Sequence, residues 1–201
     1  MRFFLLTLCF VSVAVYAQLD TTLLEEIKKF REEENEFYRN AETSPLKKKE
    51  RKAFEHHHFY PIDLRYVVSA RFERIEKIDT VVMGTSAGTE KKYQPYAMVY
   101  FEVLGEPCEL TVYQSLKLRE KEEYKNYLFI PFRDATSGKT SYGGGRYLDI
   151  LIPEGDEIIL NFNLAYNPYC AYTDGYFCTI PPKNNTLKVE IKAGLMAPDD
   201  H

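Results

Sequence analysis

Apolar positions recur along this chain with two different periods, and the change falls near residue 59. Before it, Leu23, Leu24, Ile27, Phe30, Phe37 and Tyr38 return at the spacing of one helix face. Asp20 or Thr21 is placed to cap that helix, and Glu25 and Glu26 sit early, where the helix dipole favours acid. A second, short helix is predicted from Ser44-Pro45 to about Phe54, with proline in its first turn. The basic run from Lys47 to Lys52, interrupted by Glu50, reads as one solvated face. After Phe59 the runs become short, rich in Tyr, Phe, Val and Ile, and separated by Gly, Pro, Asn and Asp clusters. Strands are predicted over 66–72, 81–83, 96–104, 109–113, 127–132, 147–152, 158–163 and 187–192, with Gly105-Glu106-Pro107 turning a hairpin. Helices only at the front and many short strands behind them predict a mainly β fold: an antiparallel β-barrel or sandwich preceded by a helical segment. No internal repeat or linker divides the chain, so 18–58 and 59–201 form one globular unit.

The first seventeen residues follow a different grammar. Arg2 gives a positive start, an apolar run extends from Phe3 to Val11, and Val15-Tyr16-Ala17 fits the small-residue rule of a secretory cleavage site. The run is shorter than the roughly 20 residues that span a bilayer. The expectation is therefore an exported protein, periplasmic or extracellular, cut after Ala17 and carrying no transmembrane anchor.

Charge narrows the function classes. The full chain carries 26 Lys and Arg against 30 Asp and Glu, a formal charge of −4, and loss of Arg2 with the leader makes it −5. Nucleic-acid binding wants a basic face and is not expected. The 16 Tyr and 13 Phe, with no Trp, agree with a pleated, half-buried surface.

Candidate chemistry concentrates in two stretches. From Asp134 to Asp149 the chain packs two carboxylates, several hydroxyls, four glycines and Arg146. Gly143, Gly144 and Gly145 can turn backbone N–H groups onto an anion, Tyr142 stands beside them, and Arg146 can clamp a carboxylate or phosphate. The competing reading is a glycine turn before a strand, with Arg146 paired to Asp134 or Asp149. Gly138-Lys139-Thr140 resembles the end of a phosphate loop, but Arg133 occupies the place of its first glycine, which excludes that motif. In the second stretch, Asn161 and Asn163 share a strand face by the two-residue period, and Asn167 and Tyr169 follow at a turn. Their amides either bind a polar ligand or fix the backbone.

Cys170 and Cys178 sit close in a turn-rich segment, and an oxidising compartment makes a disulfide between them reasonable; Cys108 is left over. Reduced structural thiols and a reactive cysteine are the other readings. His56-His57-His58 cannot converge on one metal easily, because consecutive side chains diverge, and reads as a solvated helix end. No metal site and no cofactor are expected.

Several longer motifs resemble one family: Phe59-Tyr60-Pro61-Ile62-Asp63, Phe129-Ile130-Pro131-Phe132-Arg133-Asp134, Thr140 to Asp149, Asn161 to Tyr172, and Cys178-Thr179-Ile180-Pro181-Pro182-Lys183-Asn184. Across nearly the whole mature chain they resemble the bacterial domain-of-unknown-function family numbered 1684. The resemblance implies a bacterial source and often an envelope location. It implies no activity, substrate or catalytic residue.

Two functions follow from these stretches. The first is a non-catalytic envelope domain, binding a small anionic or polar ligand in one polar pocket or serving a structural role. The second is a hydrolase-like enzyme acting on an anionic small substrate in the same pocket, with Asp134 or Asp149 as acid or base and Arg146 orienting the substrate. Convergence of Asp134, Arg146, Asn163 and Tyr169 in one cleft is the geometric criterion for the second. A flavin site on a split barrel is a further option by analogy of fold alone.

Overall fold

The computed structural model describes residues 4–76 and 79–198, and of residues 4–19 the helical backbone alone. Helix α1 runs from Phe4 to Arg39 and helix α2 from Lys48 to Ala53. Seven strands follow: β1 Val67–Arg74, β2 Val81–Gly84, β3 Glu90–Val103, β4 Glu106–Ser115, β5 Tyr127–Phe132, β6 Arg146–Leu151 and β7 Glu157–Asn161. All pair antiparallel in the order β6-β5-β4-β3-β1-β7, with β2 joined to β3 off that path. The sheet curls strongly into a half-barrel.

Strand β3 organises the sheet. Glu90 to Tyr93 pair with β2, Ala97 to Phe101 with β1, and Tyr93 to Val103 with β4. The register slips between Pro95 and Ala97. Proline has no N–H for the ladder, so a bulge is the local solution, and it adds the bend that curls the sheet. The β3–β4 hairpin turns at Leu104-Gly105, both at positive φ, one residue earlier than predicted. That two-residue geometry matches strand twist.

One face of the sheet carries the apolar core. Val99, Leu110, Val112, Leu128, Ile130, Phe132, Leu160 and Phe162 are closed to solvent there. Helix α1 buries Ile27 and Tyr38 and half-buries Leu23, Leu24, Phe30 and Phe37, the face its spacing predicts. Its start differs: the helix passes through Asp20 and Thr21 without a cap. Helix α2 begins after Lys47, with Glu50 accepting from the Lys47 N–H, while Ser44 Oγ accepts from the Leu46 N–H just before it.

The strand predicted over 187–192 is absent, although its alternation is real: Leu187, Ile191, Ala193 and Leu195 are buried in the core. Its backbone is spent elsewhere. Asp134 accepts from the Ile191 N–H, and Arg146 donates to the carbonyls of Ile191, Ala193 and Leu195. Leu187 and Val189 pair with the backbone of Arg133 and Ala135, and the buried ion pair takes over from Ile191 onward.

Candidate functional site

Side chains of a strand alternate between faces, so β5 and β6 each present two sets of residues. Arg146, Leu148, Leu128, Ile130 and Phe132 enter the core, while Tyr147, Asp149, Tyr127 and Phe129 occupy the opposite face. This alternation separates the residues of the Asp134–Asp149 stretch.

Arg146 is fully buried, and its Nη2 donates to Asp134 Oδ2 at 2.7 Å with both side chains at 0% exposure. Asp134 also accepts from the N–H and hydroxyl of Thr136. The guanidinium lies 5.4 Å from the Phe132 ring and 5.8 Å from the Tyr60 ring. Such a pair is structurally committed, because opening it to a ligand would strand a charge in the core. The glycines beside it serve the backbone. Gly145 has φ 92°, and a Cβ there would stand 2.7 Å from the Phe132 carbonyl oxygen. Gly144 packs against the ring of Tyr142, whose hydroxyl donates to the Cys170 carbonyl at 3.4 Å.

The asparagines are also separated. Asn161 ends β7, and its Oδ1 accepts from the Asn163 N–H, capping a 3-10 turn over Phe162–Leu164. Asn163 is thus off the strand, correcting the shared-face expectation, and its amide pairs with both the N–H and the carbonyl of Asp63. The short side chain competes for the local backbone and stops the strand. Asn167 differs. Its Nδ2 donates to Met196 O at 2.7 Å and to the Tyr172 hydroxyl at 2.9 Å, and its buried Oδ1 has no partner.

On the other face of β5 and β6 lies a pocket of about 610 Å³. The sheet supplies Tyr93, Tyr127, Phe129 and Tyr147, and the chain after β7 supplies Tyr166, Asn167, Tyr169 and Tyr176. The rings brace one another: Phe129 meets Tyr147 edge-on at 4.7 Å and stacks with Tyr93 at 5.8 Å, and Tyr147 meets Tyr166 edge-on at 5.7 Å. Cys170 and Cys178 are joined by a disulfide, with Cα atoms 6.2 Å apart. It ties the strap from Tyr169 to Thr179 that forms one wall, and Ser86 Oγ anchors that strap by accepting from the Cys178 N–H.

Asp149, on the same face of β6, is bonded to two of the tyrosines that line this pocket. Tyr127 donates to its Oδ1 at 2.6 Å and Tyr166 to its Oδ2 at 2.9 Å. The carboxylate touches solvent but protein surrounds it on the remaining sides. This desolvation raises its pKa to about 6, against the opposing pull of the two phenols. Glu34 of α1 is pushed to about 7, first by burial and then by the charge of Asp149. The phenol of Tyr166 is raised well above its ordinary value, chiefly by burial.

Of the residues singled out from sequence, Asn167 and Tyr169 line the pocket together with the Cys170–Cys178 strap, and Asp149 bonds to two of its tyrosines. Asp134, Arg146, Asn161 and Asn163 lie in the core, and Tyr142 lies beneath the strap. The four residues of the geometric criterion do not converge. Sequence reading passed over Tyr93, Tyr127, Phe129, Tyr147, Tyr166 and Glu34 as site residues. Their signal was present: Tyr127 and Phe129 alternate with Leu128 and Ile130, and Tyr147 and Asp149 with Leu148 and Ile150.

The histidine run is not a solvated helix end. Helix α2 stops at Ala53, and His57 is buried at 4% exposure among Tyr38, Phe54, Phe59 and Tyr172. Neither ring nitrogen has a hydrogen-bond partner, and burial pushes its pKa down to about 3. Among the described residues, no three His, Cys, Asp or Glu side chains are grouped to hold a metal, and no helix is long and apolar enough to cross a membrane.

The family model described as "Protein of unknown function (DUF1684)" matches residues 52–196. A solution NMR structure of an uncharacterized protein of Haloarcula marismortui is similar, with a TM-score of 0.69 and 32% sequence identity over 94% of this chain and 99% of that one. No curated protein matches the chain.

Proposed function

The chain belongs to the DUF1684 family, and from the tyrosine-walled pocket of its half-barrel we propose that it is an exported domain that binds a small ligand. The observation that carries this reading is the pocket itself. Its volume of about 610 Å³ suits a small organic molecule, and its lining combines apolar rings with a few fixed polar groups. The rings are braced before any ligand arrives, which lowers the ordering cost of binding. Export is supported by the leader-like residues up to Ala17 and by a disulfide that suits an oxidising compartment. Met1 to Phe3 lie outside the described residues, and α1 runs unbroken across Ala17. Cleavage there leaves Gln18 ahead of the part of α1 that packs on the domain.

The hydrolase reading loses the Asp134–Arg146 half of its machinery to the core and keeps only Asp149. A carboxyl near pH 6 can exchange protons, but its side-chain partners among the described residues are the phenols of Tyr127 and Tyr166, which burial holds in their protonated form, and binding accounts for the site with fewer assumptions.

Leu118 lines the pocket and is half-buried, so Leu118→Trp is expected to fill it while leaving the core intact. A thermal-shift screen of sugars, amines, acids and alcohols on both proteins tests the reading. Compounds that stabilise the wild type and not L118W support it. A screen in which every active compound stabilises both proteins equally contradicts it. Intact-mass analysis of protein recovered from its native host tests export, and a full-length chain beginning at Met1 contradicts that part.

A further inference from the structure

The hydroxyls of most pocket tyrosines are committed to the protein. Tyr93 shares a hydrogen bond with Thr179 Oγ1 at 2.8 Å, and Tyr147 donates to the Thr179 carbonyl at 2.6 Å. Tyr127 and Tyr166 donate to Asp149, and Tyr176 donates to the Pro45 carbonyl. Donors that remain uncommitted lie at the β3–β4 end of the lining. Ser115 Oγ accepts from the Leu118 N–H and keeps its own hydrogen to give. Lys91 stands where β3 begins, and the strand register decides which way it points. Lys91 lies opposite Met83 and Tyr93 opposite Val81, so all four share the pocket face of the sheet. Glu90 also borders the pocket, but it lies opposite Gly84 and alternates with Lys91, so its carboxylate belongs to the other face. Burial first, and then the like charge of Lys117, weaken the hold of Lys91 on its proton. Among the described residues, neither lysine has a carboxylate within ion-pair distance. Asp149 is on β6, with β4 and β5 between it and Lys91, about 14 Å along the sheet at roughly 4.8 Å per strand. Tyr93 joins the two donors to the aromatic floor: Ser115 is its partner across β4, Lys91 is two residues back on its own strand, and its ring stacks with Phe129.

Building on the small-ligand reading, we propose that the pocket's ligand is a small ring-bearing organic acid, its carboxylate held by Lys91 and Ser115 Oγ at the β3–β4 end and its ring packed against Tyr93 and Phe129. A carboxylate answers the ammonium of Lys91 and accepts from the Ser115 hydroxyl at the same time. It also relieves the repulsion between Lys91 and Lys117. The ring finds apolar surface and partners for edge-on or offset stacking. A neutral alcohol would accept from Ser115 and leave the lysine charge unanswered, and an ammonium would add a third positive charge to that end. The part first assigned from sequence to Arg146, which is sealed behind the sheet, falls to Lys91.

Three probes with one ring and different charge test this: benzoate, benzyl alcohol and benzylammonium, titrated into isotope-labelled full chain by NMR. Benzoate is expected to bind about tenfold more tightly than benzyl alcohol, shifting the resonances of Lys91, Tyr93 and Ser115. Lys91→Gln is expected to erase that preference while benzyl alcohol binds as before. Equal binding of benzoate and benzyl alcohol, or tightest binding of benzylammonium, overturns the acid assignment while leaving the small-ligand reading in place. A preference that survives in K91Q overturns the role of Lys91. Binding of none of the three overturns the inference, and the L118W screen then decides the broader reading separately. The wild-type charge series stands even if K91Q folds poorly.

Discussion

On one face of β6, Arg146 is sealed in the core against Asp134; three residues on, across the sheet, Asp149 meets solvent between two phenols and, among the described residues, no cation. The two regions contain the same acid and lie on one stretch of chain. What separates them is whether the charge is answered inside the protein. The Asp134–Arg146 pair is answered completely enough to hold the C-terminal segment in place of strand pairing. Asp149 is held by donors that orient it and do not neutralise it. A charge of the first kind builds the fold, and one of the second kind is free to meet a ligand.

The comparison breaks most visibly at Arg146. Arg146→Met leaves Asp134 buried without a partner and frees three carbonyls, so a loss of about 3–5 kcal/mol is expected in urea unfolding. Adding Asp134→Leu is expected to recover only part of it, since the carbonyls of Ile191, Ala193 and Leu195 stay unpaired. Full recovery would show that the pair does not organise that segment.

His57 sharpens the picture of the closed side, because it is a buried polar ring with no answering group. Its folded pKa is lowered to about 3, whereas the unfolded chain takes up the proton near 6.5. Its contribution is therefore complete above pH 6.5 and is lost as the pH falls from there toward 3. His57→Phe is expected to make the protein more resistant at pH 4.5 by about 2–3 kcal/mol relative to its effect at pH 8. Equal effects at both pH values would contradict this.

The disulfide belongs to the open side. Replacing Cys170 and Cys178 together with Ser is expected to cost about 2–3 kcal/mol, most of it through the freed loop of the unfolded chain. The same change is expected to weaken pocket binding while leaving amide exchange in the β3–β4 core as it was. The smallest effect is at Asp149. Its folded pKa of about 6 lies above the unfolded 3.8, so its ionised form carries a penalty that is full above pH 6 and gone below 3.8. Solvent contact screens it, and Asp149→Asn is expected to gain about 1 kcal/mol at pH 8 and nothing at pH 3.

Much of this fold was legible because local alternation and turn residues act over short range. The seven strands, the apolar face of α1 and the Cys170–Cys178 bridge all follow from neighbouring residues. The stretch 187–192 shows where that reasoning ends: its alternation predicted burial correctly, but the partners of Ile191 are the buried side chains of Asp134 and Arg146, 57 and 45 residues away. The site was half legible for the same reason. Charged and glycine-rich residues drew attention to Arg146 and Asp134, whereas the pocket is made by tyrosines on the opposite phase of the same strands. Which face of a two-sided sheet is closed and which is open depends on what packs over it, and that is a long-range property. His57 was misread similarly, since its aromatic surroundings come from α1 and from Tyr172.

The most direct test of the open and unanswered state of Asp149 is a carboxyl-carbon NMR titration of that residue. The expected midpoint is about 6, because the protein packed around the carboxylate disfavours its ionised form. A midpoint near the ordinary 3.8 would contradict the account.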